Sequence, residues 1–163
     1  MAVITVSDRS ARGERADLSG PALAAEVAAS GHEVVHRAVV PDDPAGLAAL
    51  LRELADGGSA DLVLTTGGTG VGPRDATPEA TSAACERMVP GIAEAIRARS
   101  LEVTPHAMLS RGVAGARGRT LIVNLPGSPG GARDGWAVLA PVAAHACAQL
   151  AGADHLPGAA PPA

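Results

Sequence analysis

The chain has 163 residues, the length of a single domain, and 47% of them are apolar, so it can bury a full hydrophobic core. Ala, Val and Leu must build that core, because the sequence has no Phe or Tyr and one Trp, and so few aromatic rings argue against a stacking surface for single-stranded nucleic acid. The net charge of −4, with no block of like charge, also argues against nucleic acid or an anionic membrane as a partner.

Apolar runs of strand length alternate with helical patterns along the chain. Strands are predicted at residues 3–6, 32–40 and 61–65 and in a hairpin of residues 112–116 and 119–124. Helices are predicted at residues 21–30, with Ser19 as the cap, and at 45–55, 77–87, 90–99 and 132–150. This alternation predicts an α/β three-layer sandwich, with a mostly parallel sheet, one antiparallel strand and helices on both faces.

The rest of the chain gives weaker signals. We expect residues 1–150 to form one domain and the Pro/Ala/Gly-rich residues 151–163 to form a flexible tail. No apolar run reaches the length of about 18 residues that a membrane span requires, and no secretory signal pattern is present. Cys85 and Cys147 lack Cys or His partners at metal-site spacing. These features predict a cytoplasmic protein with reduced, buried thiols.

The most informative stretch is residues 62–80, where an apolar strand runs into a glycine-rich loop and then into a helix that Thr77 is predicted to cap. Glycine lets the backbone approach a ligand closely, and free amides near a helix start attract an anion. A Walker A loop is excluded because the chain has no Lys, and the third glycine of a dinucleotide fingerprint is replaced by Pro73. The stretch therefore predicts a phosphate site, or else a tight strand–helix connection without a ligand.

Polar segments follow the predicted strands. Ser7 and Asp8 come after the first strand, Asp42 after the second, residues 67–75 after the third and residues 124–129 after the last. Ligands of open α/β sheets bind beyond the carboxyl ends of parallel strands. We therefore expect these segments to meet at one edge of the sheet.

Two acids, Asp42 and Asp75, accompany the glycine loop. Carboxylates next to a phosphate repel it unless a cation lies between them, and Mg²⁺ commonly binds one or two carboxylates together with substrate phosphates. Arg74 would add positive charge where a transferring phosphoryl group becomes more negative. The loops hold no His that could activate a Ser. The residues thus predict Mg²⁺-dependent phosphoryl or nucleotidyl transfer without a covalent intermediate.

Each candidate also has a purely structural explanation. Asp75 could cap the following helix, and Asp42 could be an ordinary turn residue, in which case its neighbour Asp43 could equally be the relevant acid. Arg74 could be a solvated surface cation. The segments 7–8 and 126–129 could form a strand-end turn and a helix entry.

The motifs resemble those of the MoaB/Mog family of molybdenum-cofactor biosynthesis proteins. The matching segments are 6–9 with 17–21, 40–43, 65–70 with 74–80, and 124–129. They occur in the family's order over roughly residues 3–150, nearly the whole chain.

The resemblance implies a molybdopterin adenylyltransferase. In this reaction the terminal phosphate of molybdopterin attacks the α-phosphorus of ATP and releases pyrophosphate. It also implies that Asp42 and Asp75 are the functional acids and candidate Mg²⁺ ligands. The candidate residues for binding phosphate, molybdopterin and nucleotide are Ser7, Asp8, Gly67, Gly68, Thr69, Gly70, Arg74, Pro126, Gly127, Ser128 and Pro129.

The family resemblance also implies a homotrimer, and a downstream molybdate-insertion protein is the candidate protein partner. A sister branch of the family shares these motifs, so a protein that binds molybdopterin without adenylylating it is the alternative function. Hydrolysis of another nucleotide is a weaker third possibility.

Overall fold

A computed structural model describes residues 1–153 of the chain. Its strands are β1 (Ala2–Val6), β2 (His36–Val40), β3 (Leu62–Thr66), β4 (Arg87–Met88), β5 (Ala114–Arg117) and β6 (Thr120–Leu125). Its α-helices are α1 (Asp8–Ala11), α2 (Ser19–Ala29), α3 (Pro44–Asp56), α4 (Thr77–Ala84), α5 (Pro90–Leu101) and α6 (Pro129–Leu150), and a 3₁₀ helix spans Pro105–Leu109. Most of the predicted flexible tail, residues 154–163, lies outside the described residues.

The strands form one six-stranded sheet in the order β2-β1-β3-β6-β5-β4. Strands β2, β1, β3 and β6 are parallel to their neighbours in that row. Strand β5 runs antiparallel to both β6 and β4. The prediction of a mostly parallel sheet with one antiparallel strand is confirmed.

Helices cover both faces of the sheet, which confirms the three-layer sandwich. On one face Leu64 and Val123 belong to the core cluster that also contains Leu23 of α2 and Leu139 of α6. On the other face a second cluster joins β1, β3 and β6 to helices α3 and α4; its members include Ile4, Val63, Ile122, Leu51 and Ala84. Because neighbouring strand residues point to opposite faces, a continuous apolar run such as β3 supplies both clusters.

The start of α4 differs from the prediction. Ala76 is the N-cap and Thr77 is the first helical residue, with no side chain capping the helix. The Thr77 hydroxyl instead donates a hydrogen bond to the Gly67 carbonyl at 2.9 Å. A contact with the preceding loop therefore replaces the predicted local cap.

Other local predictions were also wrong. The short helix α1 falls where no element was predicted, and Ser19 does not cap α2, since Leu18 is at the N-cap position. The Ser19 hydroxyl donates to the Asp17 carboxylate instead, at 3.4 Å. Strand β2 begins at His36 rather than residue 32, and the two-residue strand β4 was missed because it is too short to show a periodic pattern.

Both cysteines have free thiols, and burial raises the pKa of the Cys85 thiol to about 11. Within residues 1–153, no helix combines the length and the apolar character that crossing a membrane would require.

Candidate functional site

The loops at the carboxyl edge of the parallel strands surround one cavity of about 240 Å³. The predicted site residues that line it are Ser7, Asp42, Gly67, Gly68, Asp75, Gly127 and Pro129. The four parallel strands end at the same edge of the sheet, so residues from distant parts of the sequence meet there.

The glycine loop presents unpaired backbone amides. Among residues 1–153, the amides of residues 68–71 donate no hydrogen bond to another protein group, whereas the amide of Gly72 is paired. The amides of Gly127 and Ser128 in the facing loop are likewise without a protein acceptor in the described chain. Consecutive free amides ahead of a helix N-terminus are the kind of backbone arrangement that can bind an anion.

The loop requires glycine where it crosses β1. Gly67 has φ +102°, and a Cβ there would lie 2.3 Å from the Val6 carbonyl oxygen. Gly68 has φ +63°, and its Cβ would lie 3.1 Å from an Asp42 carboxylate oxygen. A Cβ on Gly127 would lie 3.0 Å from the Cα of Gly67. Side chains at these positions would separate the loops that form the cavity.

Asp42 is held by a reciprocal pair of hydrogen bonds with Asp8. The Asp8 amide donates to Asp42 Oδ2 at 2.8 Å, and the Asp42 amide donates to Asp8 Oδ1 at 3.1 Å. The neighbouring Asp43 instead caps α3, because its carboxylate accepts hydrogen bonds from the amides of Ala45 and Gly46. Of the two adjacent acids, Asp42 lines the cavity and Asp43 has a structural role.

Asp75 does not cap α4, so that structural explanation was wrong. Its Oδ2 accepts a hydrogen bond from the Gly72 amide at 2.9 Å, which folds the carboxylate back onto the glycine loop. The carboxylate of Asp75 therefore borders the same cavity as that of Asp42.

Arg74 lies outside the cavity lining, and its side chain is 67% exposed. It forms an ion pair with Asp8 Oδ2 at 2.6 Å and donates to the Asp42 carbonyl at 3.3 Å. Asp8 is also absent from the lining. These two predicted binding residues thus lie behind the acidic side of the cavity, where they support Asp42.

The loop of residues 126–129 serves two purposes. Ser128 caps α6 by accepting a hydrogen bond from the Gly131 amide, as a helix entry would require. The same loop is tied to β3, because the Thr66 hydroxyl donates to the Pro126 carbonyl at 2.7 Å. The helix entry therefore also fixes the wall opposite the glycine loop.

A second cavity of about 430 Å³ lies on the other side of this contact and is lined in part by Ile96, Val103 and Leu109. The predicted site residues on its wall are Thr69, Gly70, Pro126, Gly127 and Ser128. Apart from Asp8 and Arg74, which line neither cavity, the predicted set is thus divided between two adjoining cavities that share Gly127.

Two residues of this region were not predicted as site residues. Asp17 lines the first cavity and accepts hydrogen bonds from the Thr5 hydroxyl at 2.9 Å and the Gly20 amide at 3.0 Å; the matching segment 17–21 was the available signal. Arg111 donates to the glycine loop and to Glu79, and its guanidinium lowers the pKa of the Glu79 carboxyl. No local pattern indicated Arg111.

The donor set fits Mg²⁺ bound together with a phosphate ligand. Asp42 and Asp75 each use one carboxylate oxygen for a backbone amide, and the second oxygen of each accepts no protein hydrogen bond within the described chain. No group of three or more His, Cys, Asp or Glu residues that could hold a metal occurs among residues 1–153. A cation at this site would therefore rely on ligand oxygens, which is the usual mode for Mg²⁺.

A family model described as a probable molybdopterin binding domain matches residues 2–145. The chain belongs to the MoaB/Mog family. Among its relatives, the molybdopterin adenylyltransferase of Helicobacter pylori (strain J99) is 42% identical over 81% of this chain and 76% of its own length. The molybdenum cofactor biosynthesis bifunctional protein of Synechococcus elongatus is 40% identical, over 94% of this chain and 48% of its own length.

A solved structure of a MoaB/Mog protein has the same fold. The molybdopterin biosynthesis enzyme MoaB from Thermus thermophilus superimposes with a TM-score of 0.87 at 50% identity. The match covers 93% of this chain and 95% of that one. The family predicted from the motifs is thereby confirmed.

Proposed function

We propose that the protein is a molybdopterin adenylyltransferase, which transfers AMP from ATP to the terminal phosphate of molybdopterin. The observation that carries the proposal is the position of the glycine loop: its free amides 68–71 lie in a segment where Gly68 adjoins the Asp42 carboxylate and Gly70 adjoins that of Asp75, at one edge of the sheet. The 42% identity to an adenylyltransferase supports this choice of reaction.

In the proposed reaction, a phosphate oxygen of molybdopterin attacks the α-phosphorus of ATP. A new P–O bond forms, the bond between the α-phosphorus and the bridging oxygen breaks, and pyrophosphate leaves. The backbone amides of residues 68–71 would stabilise the negative charge of the phosphates, and their fixed orientation would lower the cost of reorganisation in the transition state. Two adjoining cavities, joined at Gly127, provide space for two substrates.

Asp42 and Asp75 would hold the Mg²⁺ ion, which would neutralise charge on the phosphates and on the departing pyrophosphate. Asp8 would keep the Asp42 carboxylate in place through their reciprocal hydrogen bonds. Arg74, paired with Asp8, would keep the potential at this acidic edge from excluding an anionic substrate.

The proposal extends to the setting of the reaction. We expect a cytoplasmic homotrimer that passes its product to a molybdate-insertion protein. In the Synechococcus elongatus relative, the matching segment covers about half of a bifunctional protein. Such an arrangement supports a second activity next to the proposed transferase.

Pyrophosphate release is the deciding measurement. Purified protein supplied with ATP, Mg²⁺ and molybdopterin should release pyrophosphate in proportion to adenylylated pterin, and omission of any of the three should stop it. Calorimetry with ATP and molybdopterin, separately and together, reports binding without turnover. Tight pterin binding without pyrophosphate release would reject the transferase and identify the binding protein of the sister branch.

A further inference from the structure

Arg111 lies between the 3₁₀ helix and β5, and it binds several backbone carbonyls of the glycine loop. Its amide donates to the Thr69 carbonyl at 2.8 Å, and its Nε donates to the Gly70 carbonyl at 2.6 Å. Its terminal nitrogens donate to the Asp75 carbonyl and to the Glu79 carboxylate. A single residue thus contacts the middle and the end of the glycine loop and the helix that follows it.

These contacts determine where the free amides point. A trans peptide is planar, so its carbonyl and the amide of the next residue point in opposite directions, and the described chain contains no cis peptide. Arg111 holds the carbonyls of Thr69 and Gly70, which turns the amides of Gly70 and Val71 away from it. These two amides belong to the run without a protein acceptor in residues 1–153.

The loop depends on two anchors. Thr77 binds the carbonyls of Gly67 and Gly68 through its hydroxyl and its amide. Arg111 binds the next two carbonyls and that of Asp75. Glycine peptides rotate at little steric cost, so without the second anchor the middle of the loop would sample several orientations.

We propose that Arg111 is a positioning residue that fixes the amides of the glycine loop for phosphate binding. The inference rests on the proposed function for its catalytic consequence. The planar guanidinium is essential to this role, because it reaches two carbonyls and a carboxylate at fixed angles, which the point charge of a Lys ammonium cannot do. Arg111 acts through the backbone, since its described partners are all protein oxygens.

The test compares Arg111→Lys and Arg111→Gln with the matched control Arg117→Gln. Arg117 also binds one carboxylate and one carbonyl, those of Asp56 and Ala84, but it does so away from the cavity. We expect both Arg111 variants to lose on the order of 100-fold in kcat/KM for ATP, the scale of a small misplacement of reacting groups. The control should lose thermal stability and keep a kcat/KM close to that of the wild-type protein.

A second readout, free of substrate, comes from the NMR signals of the Gly70, Val71 and Gly72 amides. The Val71 amide is the most direct probe, because it shares a peptide with the Gly70 carbonyl that the guanidinium binds. These signals should shift or broaden in both Arg111 variants and stay unchanged in Arg117→Gln. They test the positioning role even if the wild-type protein releases no pyrophosphate. Absence of pyrophosphate release would contradict the proposed function but not the role of Arg111. An unchanged Val71 signal in Arg111→Gln, or full kcat/KM in Arg111→Lys, would overturn the inference.

Discussion

The parallel and antiparallel parts of the sheet contain similar arginine contacts that have different roles. In the antiparallel part, Arg117 of β5 binds both carboxylate oxygens of Asp56 at 2.8 and 2.7 Å, and this fastens the end of α3 to the sheet. Beside the parallel part, Arg111 fastens a loop whose amides remain free. The same side-chain chemistry stabilises packing in one region and presents backbone donors to a ligand in the other.

The difference follows from strand direction. Parallel strands β2, β1, β3 and β6 all end at one edge, which gathers their loops around two adjoining cavities. In the antiparallel part, the turn at Gly118 returns the chain to the same sheet. The Gly118 amide donates a hydrogen bond to the Glu86 carboxylate at 3.1 Å and is therefore not free for a ligand. Polar residues therefore acquire chemistry in this molecule where parallel strands bring them together at one edge of the sheet.

The largest effect is expected from the cavity acids. Asp42→Asn and Asp75→Asn should each reduce pyrophosphate release by about 10²–10³-fold, because the amide keeps the local hydrogen bonds but loses the charge that holds the cation. Asp43→Asn and Asp56→Asn, acids outside the cavity lining, should keep near-normal turnover. Initial rates with ATP, Mg²⁺ and molybdopterin measure the effect, and thermal unfolding checks the fold. Normal turnover by Asp75→Asn would remove it from the proposed site.

A smaller but still severe effect is expected at Gly67. Gly67→Ala should lower the free energy of unfolding by roughly 3 kcal/mol, since the new methyl group would collide with the Val6 carbonyl at a positive φ. Gly118→Ala is the matched change in the antiparallel part: φ is +51° there and nothing lies within 4 Å of the new Cβ, so about 1 kcal/mol is expected. Urea unfolding measures both. An equal decrease in the free energy of unfolding for the two variants would show that the collision with β1 adds nothing to the cost of the positive φ.

Asn124 joins the two parts of the sheet, and its loss should cost about 2–3 kcal/mol of unfolding free energy. Its side-chain amide donates to the hydroxyls of Thr65 and Thr81 at 2.9 and 2.8 Å and accepts from the Val113 amide at 3.1 Å. Asn124→Ala removes this partner from two buried hydroxyls and one partly buried amide. Thr81→Val removes one contact and should cost about 1 kcal/mol. If urea unfolding gave Asn124→Ala the smaller loss, the buried network would not connect the parts as described.

The strands and the meeting of the loops could be predicted because their signals are local or topological. Continuous apolar runs marked β1, β3 and β6, and parallel pairing then brought Asp42 and Asp75 to one edge. The Thr-Pro-Glu pattern at Thr77 suggested a helix cap, but a tertiary contact with Gly67 determines its role.

Arg111 could not be identified by the same reasoning. Its partners Gly70, Asp75 and Glu79 are between 32 and 41 residues away in the sequence, and they become neighbours only when the chain leading to β5 returns past the glycine loop. Asp17 was missed for a related reason: its partner Thr5 belongs to β1, while Asp17 itself lies in a stretch where no helix or strand was predicted.

The smallest predicted effect compares the acids that the two arginines bind. Hydrogen bonds from Arg111 and Arg117 lower the pKa values of Glu79 and Asp56 below their ordinary values of 4.5 and 3.8. A carboxyl with a lowered folded-state pKa stabilises the fold above its unfolded pKa, and this stabilisation is lost as pH falls through the folded value. In Glu79→Gln and Asp56→Asn, the free energy of unfolding should therefore decrease less steeply as the pH falls below these ordinary pKa values. Both carboxylates are more than half exposed, at 56% and 57%, so the effect should be small and weaken further with salt.

The same pair of variants separates Glu79 from the backbone role of Arg111. Glu79→Gln leaves the Gly70 and Asp75 carbonyls bound to the guanidinium, so its kcat/KM for ATP at pH 7 should stay close to that of wild type and of Asp56→Asn. Urea unfolding as a function of pH and steady-state kinetics measure the two properties independently. A Glu79→Gln protein as inactive as Arg111→Gln would show that the ion pair, rather than the hold on the carbonyls, orders the glycine loop.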